Sequence, residues 1–99
     1  MPFQRISSAE FHAMKKKGEI TVIDIRDPMS FKAGHIEGAL NIDDGNVEEF
    51  VKTADKEKPL VVCCYHGNSS QGAAEYMSDQ GFKQAYSLDG GYAGYRPPA

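Results

Sequence analysis

The chain is predicted to be a single α/β domain with a mainly parallel central sheet flanked by helices on both faces. Three observations carry this. Short runs of strand formers alternate with helix-like stretches along all 99 residues. Two runs, Ile20-Thr21-Val22-Ile23-Asp24-Ile25 and Leu60-Val61-Val62-Cys63, are rich in β-branched residues. Glycines and prolines fall between the elements, where they act as boundaries.

Phe3 to Ile6 reads as a short first strand. Ser7-Ser8-Ala9-Glu10 has the spacing of a capping box, with Ser7 and Glu10 as its partners, and opens a helix to about Lys17. Gly18 stops it, and Ile20 to Ile25 forms the second strand. Asp27-Pro28 breaks the chain, and Pro28 suits the first turn of a short helix through Lys32. Gly34 ends that helix, and His35-Ile36-Glu37-Gly38 turns into a strand at Ala39 to Ile42. Asn46 is a capping candidate ahead of Val47, Phe50 and Val51, which share one helical face. Lys58-Pro59 precedes the strand Leu60 to Cys63. A helix then runs to near Gln80 with Gly81 as its stop. Lys83 to Leu88 is the last strand, Asp89-Gly90-Gly91 is a turn, Tyr92 to Arg96 is a short final segment, and Pro97-Pro98-Ala99 is a tail.

Composition excludes several functions. The formal charge is −3, and the basic residues are scattered apart from Lys15-Lys16-Lys17, which suits the C-terminal end of a helix. With no basic stripe interleaved with aromatics, nucleic acid is not an expected partner. No apolar run approaches the ~20 residues that span a bilayer, so no membrane is expected. Met1 to Ile6 lacks the pattern of a secretory signal. The two cysteines are neighbours, with Cα atoms ~3.8 Å apart and side chains on opposite strand faces, so a structural disulfide is not expected. A reduced, cytoplasmic protein follows.

Ligands of parallel sheets bind beyond the carboxyl ends of the strands, and Cys64 sits at such an end. It opens Cys64-Tyr65-His66-Gly67-Asn68-Ser69, a polar loop leading into a helix. Unsatisfied N–H groups and the helix dipole favour a thiolate there. Gly67 allows a positive φ and Asn68 tolerates one, so the loop can curl its N–H groups towards one point. The residues leave two readings open, a reactive Cys64 or a structural turn. His66 is an acid, a base, a hydrogen-bond donor or a solvated side chain. Cys63 is expected in the sheet–helix interface.

Three rivals fail on named positions. Cys63-Cys64-Tyr65-His66 lacks the spacing of paired zinc ligands, and no second pair exists, so no metal is expected. Gly67-Asn68-Ser69-Ser70-Gln71-Gly72 mimics a phosphate loop, but Ala73 stands where the lysine must be. A cysteine phosphatase or arsenate reductase carries an arginine six residues after its cysteine, and that position is Ser70. Without it, phosphoryl transfer lacks its electrostatic clamp.

The chain resembles the rhodanese-homology domain family, and within it the single-domain sulfurtransferases. Three stretches carry the resemblance and cover nearly the whole chain. Val22-Ile23-Asp24-Ile25-Arg26-Asp27 with Phe31 to Ala39 resembles the N-terminal signature. Cys64-Tyr65-His66-Gly67-Asn68-Ser69-Ser70 resembles the active loop, and Asp89-Gly90-Gly91-Tyr92 the C-terminal signature. A loop of six residues counted from the cysteine resembles sulfur-transferring members, whereas seven resembles phosphatase members. A shorter loop draws its N–H groups closer to the sulfur.

The resemblance implies a thiosulfate sulfurtransferase. Cys64 would attack the outer sulfur of thiosulfate, release sulfite, carry a persulfide and pass the sulfur to a thiol acceptor or cyanide. The N–H groups from Tyr65 to Ser70 would stabilise the anions, with the hydroxyls of Ser69 and Ser70 adding hydrogen bonds. A small redox protein is an expected acceptor, no cofactor is required, and the chain is expected as a monomer or weak homodimer. The alternative is a non-catalytic persulfide carrier or binding module docking on a partner protein. Asp24 and Arg26 either support the loop from beneath or form a purely structural ion pair, and the latter is favoured. Tyr65 would shield the sulfur or cap the core. Two positions depart from the family: Gln71 stands where related loops carry a lysine, and Tyr95 where a tryptophan is frequent. The first weakens attraction for a dianion. The second affects packing.

Overall fold

The computed structural model describes residues 3–97. Met1, Pro2 and, from the tail, Pro98 and Ala99 lie outside them. Five strands form one sheet: β1 (Gln4–Ile6), β2 (Thr21–Asp24), β3 (Leu40–Asn41), β4 (Leu60–Cys63) and β5 (Ala85–Leu88). Their order across the sheet is β1-β5-β4-β2-β3 and every pair is parallel. Four helices connect them: α1 (Ser8–Lys17), α2 (Pro28–Ala33), α3 (Val47–Thr53) and α4 (Ser69–Asp79). Strands are generally shorter than the apolar runs that suggested them, since Ile20, Ile25, Ala39 and Ile42 fall just outside the ladders. Those residues still pack against the core.

Strand parity sorts the side chains into two layers. Leu60 and Val62 of β4, with Ile23 of β2 and Ala85 of β5, face Phe50 of α3 and Ala74 and Met77 of α4. Val61 and Cys63, with Val22 and Leu88, face Phe11 of α1, Phe31 of α2 and the final segment at Tyr92 and Tyr95. The sheet is thus covered on both faces. Phe11, Leu60, Val61, Val62 and Leu88 have no exposed surface. Truncating such a side chain costs about 2–5 kcal/mol.

Local chemistry fixes the ends. Ser7 Oγ accepts from the Glu10 N–H at 3.1 Å, and Glu10 Oε1 accepts from the Ser7 N–H at 2.8 Å, completing the capping box. Asp27 caps α2 by accepting from the Ser30 N–H at 3.0 Å. Asn46 departs from expectation. Its side chain does not cap α3 but spans the preceding loop, accepting from the Asp43 N–H and donating to Asn41 O. Because all strands run one way, the segments after β2, β4 and β5 gather at one edge of the sheet, and the candidate site lies there.

Candidate active site

Register brings the ends of three strands together. Asp24 pairs with Cys63 across β2 and β4, and Val62 pairs with Ser87 across β4 and β5. Beyond them the Cys64 loop emerges from the centre of the sheet and enters α4 at Ser69. Helix N-termini are usually capped by a side chain, yet Asn68, at the capping position, makes no such bond. The sulfur takes that place: Cys64 Sγ accepts from the Gly67 N–H at 3.1 Å and the Ser70 N–H at 3.2 Å. Ser70 Oγ lies 3.2 Å from the same sulfur. The curl rests on Gly67 alone, at φ 91°, because Asn68 is right-handed at φ −91°. The expected left-handed tolerance of Asn68 is therefore unused.

Burial pushes the Cys64 thiol up, but the hydroxyl and N–H of Ser70 and the N–H groups of Gly67 and His66 outweigh it. They hold the thiol below the ordinary cysteine value. Each hydrogen bond to a charged group contributes about 1.5–3 kcal/mol, which favours the thiolate. Cys63 behaves oppositely. It is fully buried among apolar side chains, and burial, followed by the nearby Asp24 charge, pushes its thiol up to about 12. The two adjacent thiols are thus shifted in opposite directions, Cys64 towards its thiolate and Cys63 away from it.

The remaining loop residues occupy distinct positions. The side chains of His66, Asn68 and Ser69 are exposed. Of the two serine hydroxyls expected at the sulfur, Ser70 is there and Ser69 is not. Ser69 is the first residue of α4 and points outward, whereas Ser70 is fully buried. Tyr65 is 46% exposed and neither covers the core nor lies free, because its hydroxyl donates to Asp27 Oδ1. That bond ties the loop to the cap of α2. Gln71 donates from Nε2 to Gly67 O at 2.9 Å, bracing the loop from within α4.

Asp24 and Arg26 form a buried ion pair, with Arg26 Nη2 2.8 Å from Asp24 Oδ2 and further bonds through Nε. Arg26 Nη2 also donates to Gly34 O at 2.6 Å, holding the end of α2 against β2. The guanidinium stacks 4.3 Å from the Tyr92 ring centroid and 6.0 Å from that of Tyr65. The hydrogen bond to Asp24 raises the Arg26 pKa further, so the charge is permanent and internally neutralised. The pair thus lies beneath two aromatic residues of the site without a bond to the sulfur.

Sequence reasoning assigned no contact to the turn after β5, which turns out to brace the loop. Tyr92 N–H donates to Cys64 O at 2.8 Å and Ala93 N–H to Tyr65 O at 3.0 Å. A Cβ on Gly91 would meet Cys64 O at 2.5 Å and His66 N at 2.6 Å, and one on Gly67 would meet Gly90 N at 2.8 Å. The two backbones touch, and only glycine allows that approach. The adjacent glycines at a strand end were the available signal. Ser87 was also missed. It is fully buried on β5, with its hydroxyl 2.7 Å from Ser70 Oγ.

The arrangement is a one-cysteine anion site made of N–H groups and one hydroxyl. The loop contains no arginine or lysine. Comparison with known proteins places the whole domain. The profile of the rhodanese-like domain matches residues 7–97. Thiosulfate sulfurtransferase GlpE of Pseudomonas aeruginosa is 51% identical over 94 residues, covering 95% of this chain and 84% of that protein. Its namesake from Stutzerimonas stutzeri is 48% identical over 94 residues, covering 95% and 85%. A rhodanese-related protein from Thermoplasma volcanium has a crystal structure that matches with a TM-score of 0.76 at 29% identity, covering 95% of this chain and 96% of that one. Since the match spans the sulfur-bearing loop and the glycine turn packed against it, the chain belongs to the rhodanese-like domain family.

Proposed function

We propose that the chain is a thiosulfate sulfurtransferase that carries sulfur on Cys64 as a persulfide. The thiolate attacks the outer sulfur of thiosulfate. A bond forms between Cys64 Sγ and that sulfur, the bond to the sulfonate sulfur breaks, and sulfite leaves with the electron pair. An acceptor thiolate, or cyanide, then attacks the outer sulfur of the persulfide and Cys64 leaves as a thiolate. Charge and sulfur balance in both steps, and no cofactor enters.

The observation that carries this is the cradle itself. Two N–H groups and the Ser70 hydroxyl converge on one sulfur at 3.1–3.2 Å, with no cation in the loop. Such donors stabilise a singly charged sulfur anion. They lack the guanidinium that a phosphoryl dianion requires. The names of the GlpE relatives support thiosulfate as donor.

The acceptor is a small thiol or the thiol of a small redox protein, and the compartment is the cytoplasm. The two adjacent free cysteines support that placement. No helix among the described residues is long and apolar enough to cross a membrane.

Intact-protein mass spectrometry after thiosulfate exposure tests the persulfide. Wild type should gain the mass of one sulfur, removable by cyanide, and Cys64→Ser should gain none. Steady-state release of thiocyanate separates an enzyme from a carrier. Turnover abolished by Cys64→Ser in a folded protein is expected. A wild type that loads sulfur but does not turn over would instead identify a carrier docking on a partner.

A further inference from the structure

Ser87 takes no part in the steps above, yet among the described residues it is the only other side chain bonded to the hydroxyl that touches the reacting sulfur. Cys64 Sγ, Ser70 Oγ and Ser87 Oγ form a buried line with separations of 3.2 and 2.7 Å. Ser87 shares the parity of Ala85, so it faces the α4 side of the sheet, next to Val62 in register. Both serines are fully buried, so water does not compete for either hydroxyl.

Proton counting fixes the direction of this line. A thiolate has no proton, so the Ser70 hydroxyl must donate on the sulfur side. Ser70 has a single hydroxyl proton, so Ser70 Oγ can only accept on its other side, and the donor 2.7 Å away there is Ser87. We propose that Ser87 is a positioning residue whose hydroxyl donates to Ser70 Oγ and so commits the Ser70 proton to the sulfur anion. Without that donor, the Ser70 hydroxyl, in the first turn of α4, is free to rotate towards carbonyls one turn back, as serines in helices do. With it, the two hydrogen bonds polarise one another. The relay acts on Cys64 as a thiolate, and so stabilises the leaving group when the persulfide gives up its outer sulfur.

The other titratable groups nearest the loop are Cys63, Tyr65, His66, the Asp24–Arg26 pair, Asp27, Asp89 and Tyr92; Glu75, Tyr76 and Asp79 lie on the exposed side of α4, and Tyr86 of β5 faces the opposite layer from Ser87. None bonds to Ser87. Replacing Ser87 therefore changes the hydroxyl line while leaving these charges in place.

The proposal rests on Cys64 being the reacting group. Alkylation reads the thiolate without any turnover, so failure of sulfur transfer and failure of this inference give different results. The rate of iodoacetamide modification of unloaded protein is measured against pH, with the adduct assigned to Cys64 by peptide mass spectrometry. Ser87→Ala should raise the apparent Cys64 pKa by about half a unit, slowing alkylation about threefold below that pKa. Ser70→Ala should raise it at least as far, and the double variant should match Ser70→Ala alone, because Ser87 acts only through Ser70. Should Ser87→Ala fail to fold, Ser87→Cys keeps the shape of the side chain, offers only a weak S–H donor and carries the same expectation. An unchanged pKa in the Ser87 variant, even with a lower Tm, would assign Ser87 to packing and overturn the proposal. Additive shifts in the double variant would overturn it too.

Discussion

The contact between the Cys64 loop and the turn after β5 makes a prediction with a sign that a matched control reverses. Gly91 sits at φ 58°, and a Cβ there would lie 2.5 Å from Cys64 O, 2.6 Å from His66 N and 2.6 Å from Tyr65 C. All three are backbone atoms, so no flexible side-chain end can yield. Ordinary contact begins near 3.4 Å, so Gly91→Ala must shift one backbone by roughly 0.8–0.9 Å. The left-handed conformation costs a non-glycine residue roughly 1–2 kcal/mol, and overpacking adds about 1–3 kcal/mol. A total loss of roughly 2–5 kcal/mol follows.

The functional loss should be larger than the stability loss implies. The atoms displaced include His66 N, whose N–H helps to stabilise the Cys64 anion. A misplacement near 1 Å costs catalysis on the order of 10²-fold. Gly72 is the control. It lies on the exposed side of α4 with nothing within 4 Å of a Cβ, so Gly72→Ala should stabilise by about 0.5–1 kcal/mol and leave turnover unchanged. Urea unfolding followed by circular dichroism gives the stabilities, and thiocyanate release from thiosulfate and cyanide gives the activity. A folded Gly91→Ala variant within twofold of wild-type turnover would refute the claim that this turn sets the loop geometry.

Two further outcomes are expected. Cys63 is raised from 9.0 to about 12 in the fold, so its stabilising contribution is complete below pH 9 and is lost as the pH climbs towards 12. Wild type should therefore lose stability faster than Cys63→Ala across that window, by at most about 1.4 kcal/mol per pH unit; parallel unfolding curves against pH would contradict the assignment. Gln71→Lys places a cation beside a loop that has none, and a dianion ~8 Å away gains about 1 kcal/mol in water. Thiosulfate kcat/KM should rise about fivefold at low ionic strength and the gain should fade with salt; no change at low salt would show that the lysine does not reach the mouth.

What was legible in the sequence was local. Ser7 and Glu10 are three residues apart, and the capping box they form needs nothing else. Leu60 to Cys63 alternates its side chains between two layers by strand parity alone, and the polar and glycine residues after Cys64 set it apart from Cys63, although both cysteines are buried. Expectations slipped where two local demands compete for one side chain. Asn46 had the right chemistry and position to cap α3, but the loop from Asn41 to Asp43 offers it a donor and an acceptor at once. Asn68 had the freedom to turn left-handed, but Gly67 makes the whole turn and leaves Asn68 to enter the helix.

The unread part of the site is non-local for a topological reason. In a parallel sheet, neighbouring strands are separated by a whole crossover, so partners across β4 and β5 sit far apart in sequence. Ser70 meets Ser87, and Cys64 meets Gly91 and Tyr92, through that pairing. Each contact is specific in space but anonymous in sequence, where Ser87 shows only as one polar residue within Ala85-Tyr86-Ser87-Leu88. The Cys64 loop carries the cradled sulfur, but the strand beside it holds that atom's surroundings in place. A transplanted Cys64-to-Ser70 loop would keep its helix N-terminus and lose both the glycine turn and the second hydroxyl. On the geometry here, it should keep the N–H groups of its own turn and lose the contacts that hold them converged on the Cys64 sulfur.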